Sequence, residues 1–172
     1  MKKSWTAGLI LVAVGFSQWP EGPRDVAAQQ ATDAVASGAA TIVDGDSLEV
    51  DGRRIRLSGI DAPEGRQSCR DQNGQSYACG RAATAALREL IQGQPVQCRR
   101  LDVDRYQRWV SDCYAGQIWL NARMVEQGWA VAYTRYDDRF RSQERLARQA
   151  KQGIWQGRFT RPEKWRAQQR SR

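Results

Sequence analysis

Asp46, Asp61 and Glu64 fall within a few β-strand lengths of one another, in a run that reads VDGDSLEVDGRRIRLSGIDAPE from Val43 to Glu64. Carboxylates gathered this closely repel one another unless a cation sits among them, and oxygen ligands of this kind suit Ca²⁺ or Mg²⁺. Ala62 offers a backbone carbonyl as a further ligand, and Pro63 stiffens the segment behind it. Arg56 lies in the same run between Ile55 and Leu57, and Arg108 ends a second polar run, DVDRYQR from Asp102. Two guanidinium groups converging on one phosphate would grip it and stabilise the charge that develops during displacement. Singly, Asp44-Gly45 and Asp51-Gly52 are ordinary turn residues. The whole grouping points to phosphodiester chemistry.

The chain contains no histidine. That excludes Ser-His-Asp and Cys-His catalysis and every histidine zinc site. A general base must therefore be a carboxylate, a perturbed Lys or Tyr, or a metal-bound water. With 27 Lys and Arg against 19 Asp and Glu the chain carries a formal charge of +8. Such a surface favours polyanions: nucleic acid, acidic polysaccharide or an anionic membrane face. Tyr106, Tyr133 and Tyr136 stand near basic residues and could stack bases as single-strand binders do. Most of the seven tryptophans read as packing groups.

The elements that must position these groups are short. Leu48 and Val50 alternate with Ser47 and Glu49, and Ile55 and Leu57 alternate with Arg54 and Arg56. Asp51-Gly52 between them is a two-residue hairpin signal. That turn pairs Ser47 with Arg56 and Asp46 with Leu57, so the acidic start of one strand and the acidic end of the next share one end of the hairpin. Arg66 to Tyr77 reads as a loop, and Gly80 to Ile91 as an alanine-rich helix. Pro95 to Leu101 and Trp109 to Tyr114 read as strands around the DVDRYQR loop. Leu120 to Gln127 reads as a short helix, Trp129 to Tyr133 as extended, and Asp138 to Gln152 as a basic amphipathic helix. The expected architecture is α+β: a five-stranded OB-fold β-barrel with about three packed helices.

Around this domain, placed at 40–160, the flanks read differently. Lys2, Lys3 and the apolar run Thr6 to Phe16 resemble an export signal ending near Val26-Ala27-Ala28. An uncleaved anchor is the alternative for residues 1–28. Either reading places the domain outside the cytoplasm, secreted or periplasmic. Residues 29–39 read as a flexible lead-in and 161–172 as a basic tail. The four cysteines, Cys69, Cys79, Cys98 and Cys113, form no C-x-x-C pair, and an even count in an exported chain favours disulfides. Of three possible pairings we favour Cys69–Cys79 with Cys98–Cys113.

The run from Val43 to Glu64, then DRYQR, then MVEQGWAVAY, resembles the staphylococcal-nuclease-like (thermonuclease) family over about Ala40 to Trp155. The resemblance implies an OB-fold, Ca²⁺-dependent endonuclease that cuts DNA and RNA with little sequence preference and leaves 3′-phosphate ends. It implies that Asp46, Asp61 and the Ala62 carbonyl bind Ca²⁺, with Asp44 supporting the ion through water. Glu64 matches the carboxylate that activates the attacking water, and Arg56 and Arg108 match the arginines that grip the phosphate. Tyr106 and Tyr133 match aromatic positions near the nucleotide, and Arg105 replaces a lysine there. Ser47 and Ala62 stand where threonines are found, and Gln107 replaces the glycine of D-x-Y-G-R. If that position needs positive φ, glutamine is strained there and could displace Arg108. The expected substrate is DNA or RNA, single-stranded by preference, handled by a monomer without a protein partner. The competing expectation is a catalytically weak OB-fold module that binds nucleic acid or another polyanion.

Overall fold

The structure is a computed structural model that describes residues 34–134 and 138–171. The leader at 1–28 and Tyr136 lie outside the described residues. Eleven short strands are present among those described: β1 Val35–Gly38, β2 Ala40–Ile42, β3 Ser47–Val50, β4 Arg53–Leu57, β5 Ile60–Asp61, β6 Cys69–Arg70, β7 Ser76–Tyr77, β8 Val96–Val103, β9 Trp109–Ala115, β10 Ile118–Trp119 and β11 Val131–Ala132. The helices are α1 Cys79–Ile91, α2 Leu120–Glu126, α3 Arg141–Gln149 and α4 Pro162–Arg170, with a 3₁₀ turn at Gly153–Gln156.

The β3–β4 hairpin forms for the reason its sequence suggests. Asp51 and Gly52 both adopt positive φ, at 51° and 66°, as a two-residue turn matched to strand twist requires. The register sets Ser47 opposite Arg56, and the Leu57 amide donates to the Asp46 carbonyl at 2.8 Å. Leu48, Val50, Ile55 and Leu57 are consequently all buried on one face.

The main sheet runs β1-β8-β9-β4-β3-β2, with β10 beside β9. Its β4–β9 pair is parallel and its other pairs are antiparallel. Only Ala39 separates β1 from β2, yet β1 lies on β8 and β2 on β3. One bent segment therefore joins both edges of the sheet and closes it into a barrel. Counted that way the barrel has its expected five strands, and the fold is an α+β OB-fold. Part of the expected lead-in is thus a structural strand: Val35 pairs with Arg99, and Ala36 is buried opposite Cys98.

Two other expectations change. The basic tail is the helix α4, started by Pro162 at its first turn with Glu163 beside it, a favourable N-terminal pattern. It brings the described helices to four. The loop between Arg66 and Tyr77 contains the small β6–β7 hairpin. The core lies between the barrel and α1 and α2, which contribute Ala83, Leu87, Leu120, Met124 and Val125, with Phe140 from the segment before α3.

Cys69 bonds to Cys79 and Cys98 to Cys113. The second pair sits directly opposite in the β8–β9 register and closes a sequence separation of 15. A loop of that length should stabilise the fold by about 3 kcal/mol through the unfolded chain. Urea unfolding of a Cys98→Ala/Cys113→Ala variant should show a loss of that order.

Candidate active site

Two glycines let the acidic segments approach one another. A Cβ on Gly45 would lie 2.8 Å from the side chains of both Ala62 and Ala83, so only glycine lets the turn before β3 close over the Asp61–Glu64 segment. A Cβ on Gly80 would lie 1.8 Å from the Glu64 carbonyl oxygen, so α1 packs backbone against backbone beside Glu64. Asp61 is placed by β5, whose partner is β11.

The buried carboxylates are held by arginines. Arg56 donates to Asp46 Oδ1 at 2.9 Å and to Asp61 Oδ1 at 2.8 Å. Asp46 also accepts from the Ser47 hydroxyl at 2.9 Å and, through Oδ2, from the Ala62 amide at 3.0 Å. Asp46 and Asp61 are both buried, at 4% and 1% exposure. The charge of Asp46 is the main cause raising Arg56 above its ordinary pKa, so this guanidinium stays charged. Burial, and next the charge of Asp46, pushes the Asp44 carboxyl up to about 6. Burial likewise pushes Asp61 up, against the pull of Arg166 and Arg56.

This donor set fits a hard cation. Asp44, Asp46 and Asp61 are oxygen donors, the ligand type that a hard cation takes. As arranged, however, no three acidic side chains among the described residues form a ready cation cage, because Asp46 and Asp61 are turned onto guanidinium groups.

Glu64 is anchored by a residue that the sequence does not single out. Buried Gln67 accepts from the Glu64 amide at 3.3 Å and donates to the Thr160 carbonyl at 2.6 Å, while its own amide donates to the Glu64 carbonyl at 2.7 Å. A glutamine with no apolar pattern around it carries no local signal. Its role appears only when the chain before α4 returns to the site.

The second arginine arrives on the tip of the β8–β9 hairpin. Asp104 Oδ1 accepts the amides of Tyr106 and Arg108 at 2.9 and 3.0 Å, and Oδ2 accepts from Arg108 Nε at 2.8 Å. Gln107 has φ of 62°, the left-handed conformation that suits glycine. The strained conformation is present, and Asp104 holds Arg108 at the cleft. Gln107→Gly should remove about 1 kcal/mol of backbone strain. Calorimetry should find the melting temperature raised by about 2–4 °C.

One cleft of about 480 Å³ gathers Asp44, Asp46, Ala62 and Glu64 with Arg56, Arg105, Arg108, Tyr106 and Tyr133. Asp61 lies behind it, paired to Arg56. Arg54, Arg166 and Arg170 also line this cleft; none was expected there. Tyr106 is 55% exposed, and Arg105 and Arg108 stand 4.8 and 5.5 Å from its ring centre. The ring is thus engaged with guanidinium groups, and an incoming base must share or displace them. The cleft has the chemistry to bind a phosphodiester strand. It offers six arginines, an exposed aromatic ring, and a carboxylate beside a cation-compatible seat.

Comparison with known proteins agrees with this geometry. The family model "Staphylococcal nuclease homologue" matches residues 54–157. The micrococcal nuclease of Shigella flexneri is 36% identical over 143 residues, covering 73% of this chain and 76% of that protein. The succinoglycan biosynthesis protein ExoI of Rhizobium meliloti (strain 1021) is 35% identical over 121 residues, covering 69% of this chain and 63% of its own length. The probable staphylococcal-like nuclease CAN1 of Oryza sativa subsp. japonica is 34% identical over 121 residues, again 69% of this chain but 34% of the rice protein. Barrel, cleft and sequence likeness converge: this chain belongs to the staphylococcal nuclease family.

Proposed function

We propose that the chain is an exported, Ca²⁺-dependent endonuclease that hydrolyses the phosphodiester bonds of DNA and RNA without regard to the sugar. The observation that carries this reading is the single cleft in which Arg56, Arg108 and Glu64 meet the buried Asp46. Asp46, Asp61 and the Ala62 carbonyl would hold the ion, with Asp44 supporting it through water. When bound, the cation supplies Lewis-acid neutralisation of the phosphate oxygens. Arg56 and Arg108 bind the scissile phosphate and stabilise the charge it gains. With no histidine in the chain, Glu64 takes the proton of the attacking water. The new P–O bond forms in line as the P–O5′ bond breaks; the leaving 5′-oxygen takes a proton from solvent water and a 3′-phosphate remains. Single strands suit the open cleft best, because exposed Tyr106 can reach an unstacked base. The two disulfides suit an oxidising, extracytoplasmic compartment. The domain would work as a monomer.

A second reading is favoured by two observations. Arg166 already bonds to Asp61 and Glu64, and one relative is named for succinoglycan biosynthesis. On this reading the domain is an OB-fold module that holds a polyanion without cutting it. The purified chain should degrade single-stranded DNA with Ca²⁺ and stop when the ion is chelated, leaving 3′-phosphate ends. Binding without cleavage across a range of divalent cations would select the second reading.

A further inference from the structure

The tail helix α4 places a guanidinium where the cation would have to go. Arg166 Nη1 donates to Asp61 Oδ1 at 2.9 Å and to Glu64 Oε1 at 2.6 Å, and Nη2 donates to Asp61 Oδ2 at 3.0 Å. Both oxygens of Asp61 are therefore taken by Arg166, and Oδ1 is shared with Arg56. A divalent ion ligated by Asp61 would sit roughly 2.3–2.6 Å from one of these oxygens. An ion on Asp61 would therefore compete with the Arg166 bonds for the same two oxygens. The ion and the guanidinium also repel each other.

How α4 is held makes this exclusion consequential. Of its nine residues only Pro162 is buried, whereas α1 buries seven. In the body of α4 only Trp165 and Arg166 are half-buried, and Arg166 carries ion pairs to Asp61 and Glu64. The neighbouring anchors precede the helix: the Thr160 carbonyl on Gln67, and Arg161 on Glu144 at 3.1 Å. A helix fixed at its start and tied by one ion-pair cluster can swing when that cluster is broken.

We propose that Arg166 is the internal counter-ion of the cation seat, so that docking of α4 and binding of a divalent cation exclude each other. With α4 docked, Arg166 closes the seat and occupies the Glu64 carboxylate. Cation binding releases the helix and frees Glu64. The inference rests on the reading that Asp46 and Asp61 form a cation seat. Because coupling between two binding events is reciprocal, loosening by the ion on one side requires tighter ion binding when Arg166 is removed on the other.

The test uses the full chain and Ca²⁺ alone, without substrate. Calorimetric titration of the wild type and of Arg166→Gln should show Ca²⁺ bound about 10-fold more tightly by the variant, the change expected from losing one ion-pair competitor. Hydrogen exchange of the wild-type Pro162–Arg170 amides should accelerate on adding Ca²⁺, a readout that does not depend on the variant folding. Equal or weaker Ca²⁺ binding by a folded Arg166→Gln overturns the proposal and leaves the cation seat standing. Unchanged α4 exchange in Ca²⁺-saturated wild type does the same. If neither protein binds Ca²⁺, the cation seat itself fails and the proposal fails with it.

Discussion

Arg56→Lys should cut turnover on single-stranded DNA by about 10²–10³-fold, the usual consequence of losing a preorganised charge-stabilising donor. The charge survives in this variant but the planar fork does not. Arg56 bridges Asp46 and Asp61 through separate nitrogens, at 2.9 and 2.8 Å, which a single ammonium cannot reproduce. Arg56→Ala should lose at least as much activity and also fold less well. It strips buried Asp46 of the Arg56 guanidinium while Asp61 keeps its two bonds to Arg166, and breaking a buried pair of this kind costs about 3–5 kcal/mol. Comparing kcat with the thermal midpoint for both variants separates phosphate binding from scaffold. A lysine variant that keeps wild-type kcat would remove Arg56 from the chemistry and leave it a structural residue. Glu64→Gln and Arg108→Ala belong to the same expectation. Each should lower kcat by orders of magnitude, since a general base commonly contributes about 10²–10⁴-fold.

Gly80→Ala should be the most damaging change that removes no functional group. In an exposed helix this substitution stabilises by about 1 kcal/mol. Here the sign should reverse. The new methyl would stand 1.8 Å from the Glu64 carbonyl oxygen and 2.9 Å from the Gly65 Cα, and backbone cannot turn aside as a side chain can. Helix and loop must separate, at a cost of about 1–3 kcal/mol or more. That movement pulls on the Gly80 amide, which donates to the Gln67 carbonyl at 3.2 Å, and Gln67 in turn holds Glu64. A displacement near 1 Å at a reacting group can cost about 10²-fold in rate. Urea unfolding and single-turnover cleavage should therefore fall together. A stable Gly80→Ala protein with normal cleavage would show that α1 does not set the position of Glu64.

Much of the barrel was legible because its signals are local. Asp51-Gly52 fixes the hairpin register, and that register alone brings Ser47 opposite Arg56. Cys98 and Cys113 could be paired because the two strands around DVDRYQR must run back along one another. The flanks were harder. Val35–Gly38 reads Val-Ala-Ser-Gly, small residues without the alternation of branched side chains that marks a strand. It becomes one because β8 offers it an open edge. The helix α4 announced itself by Pro162 and Glu163, but twelve residues rich in charge read more easily as a solvated tail. Its contact with the site could not be read at all: Arg166 reaches Asp61 across 105 positions, and nothing near either residue names the other. The same holds for Gln67 and Thr160, 93 positions apart. Tyr106 was legible as an aromatic near the cleft, but its partnership with Arg105 and Arg108 depends on the turn that Asp104 ties.

The bent segment β1–β2 has a consequence for how the protein comes into being. Its residues are made early, but Val35 has no strand partner until Arg99 is made. Until β8 and β9 have been synthesised, the first strand has no edge to lie on and the barrel stays open. Pairings this distant in sequence are slow to nucleate. A chain exported as proposed would therefore cross a membrane pore before its barrel can close. It would acquire its fold and its two disulfides together on the far side.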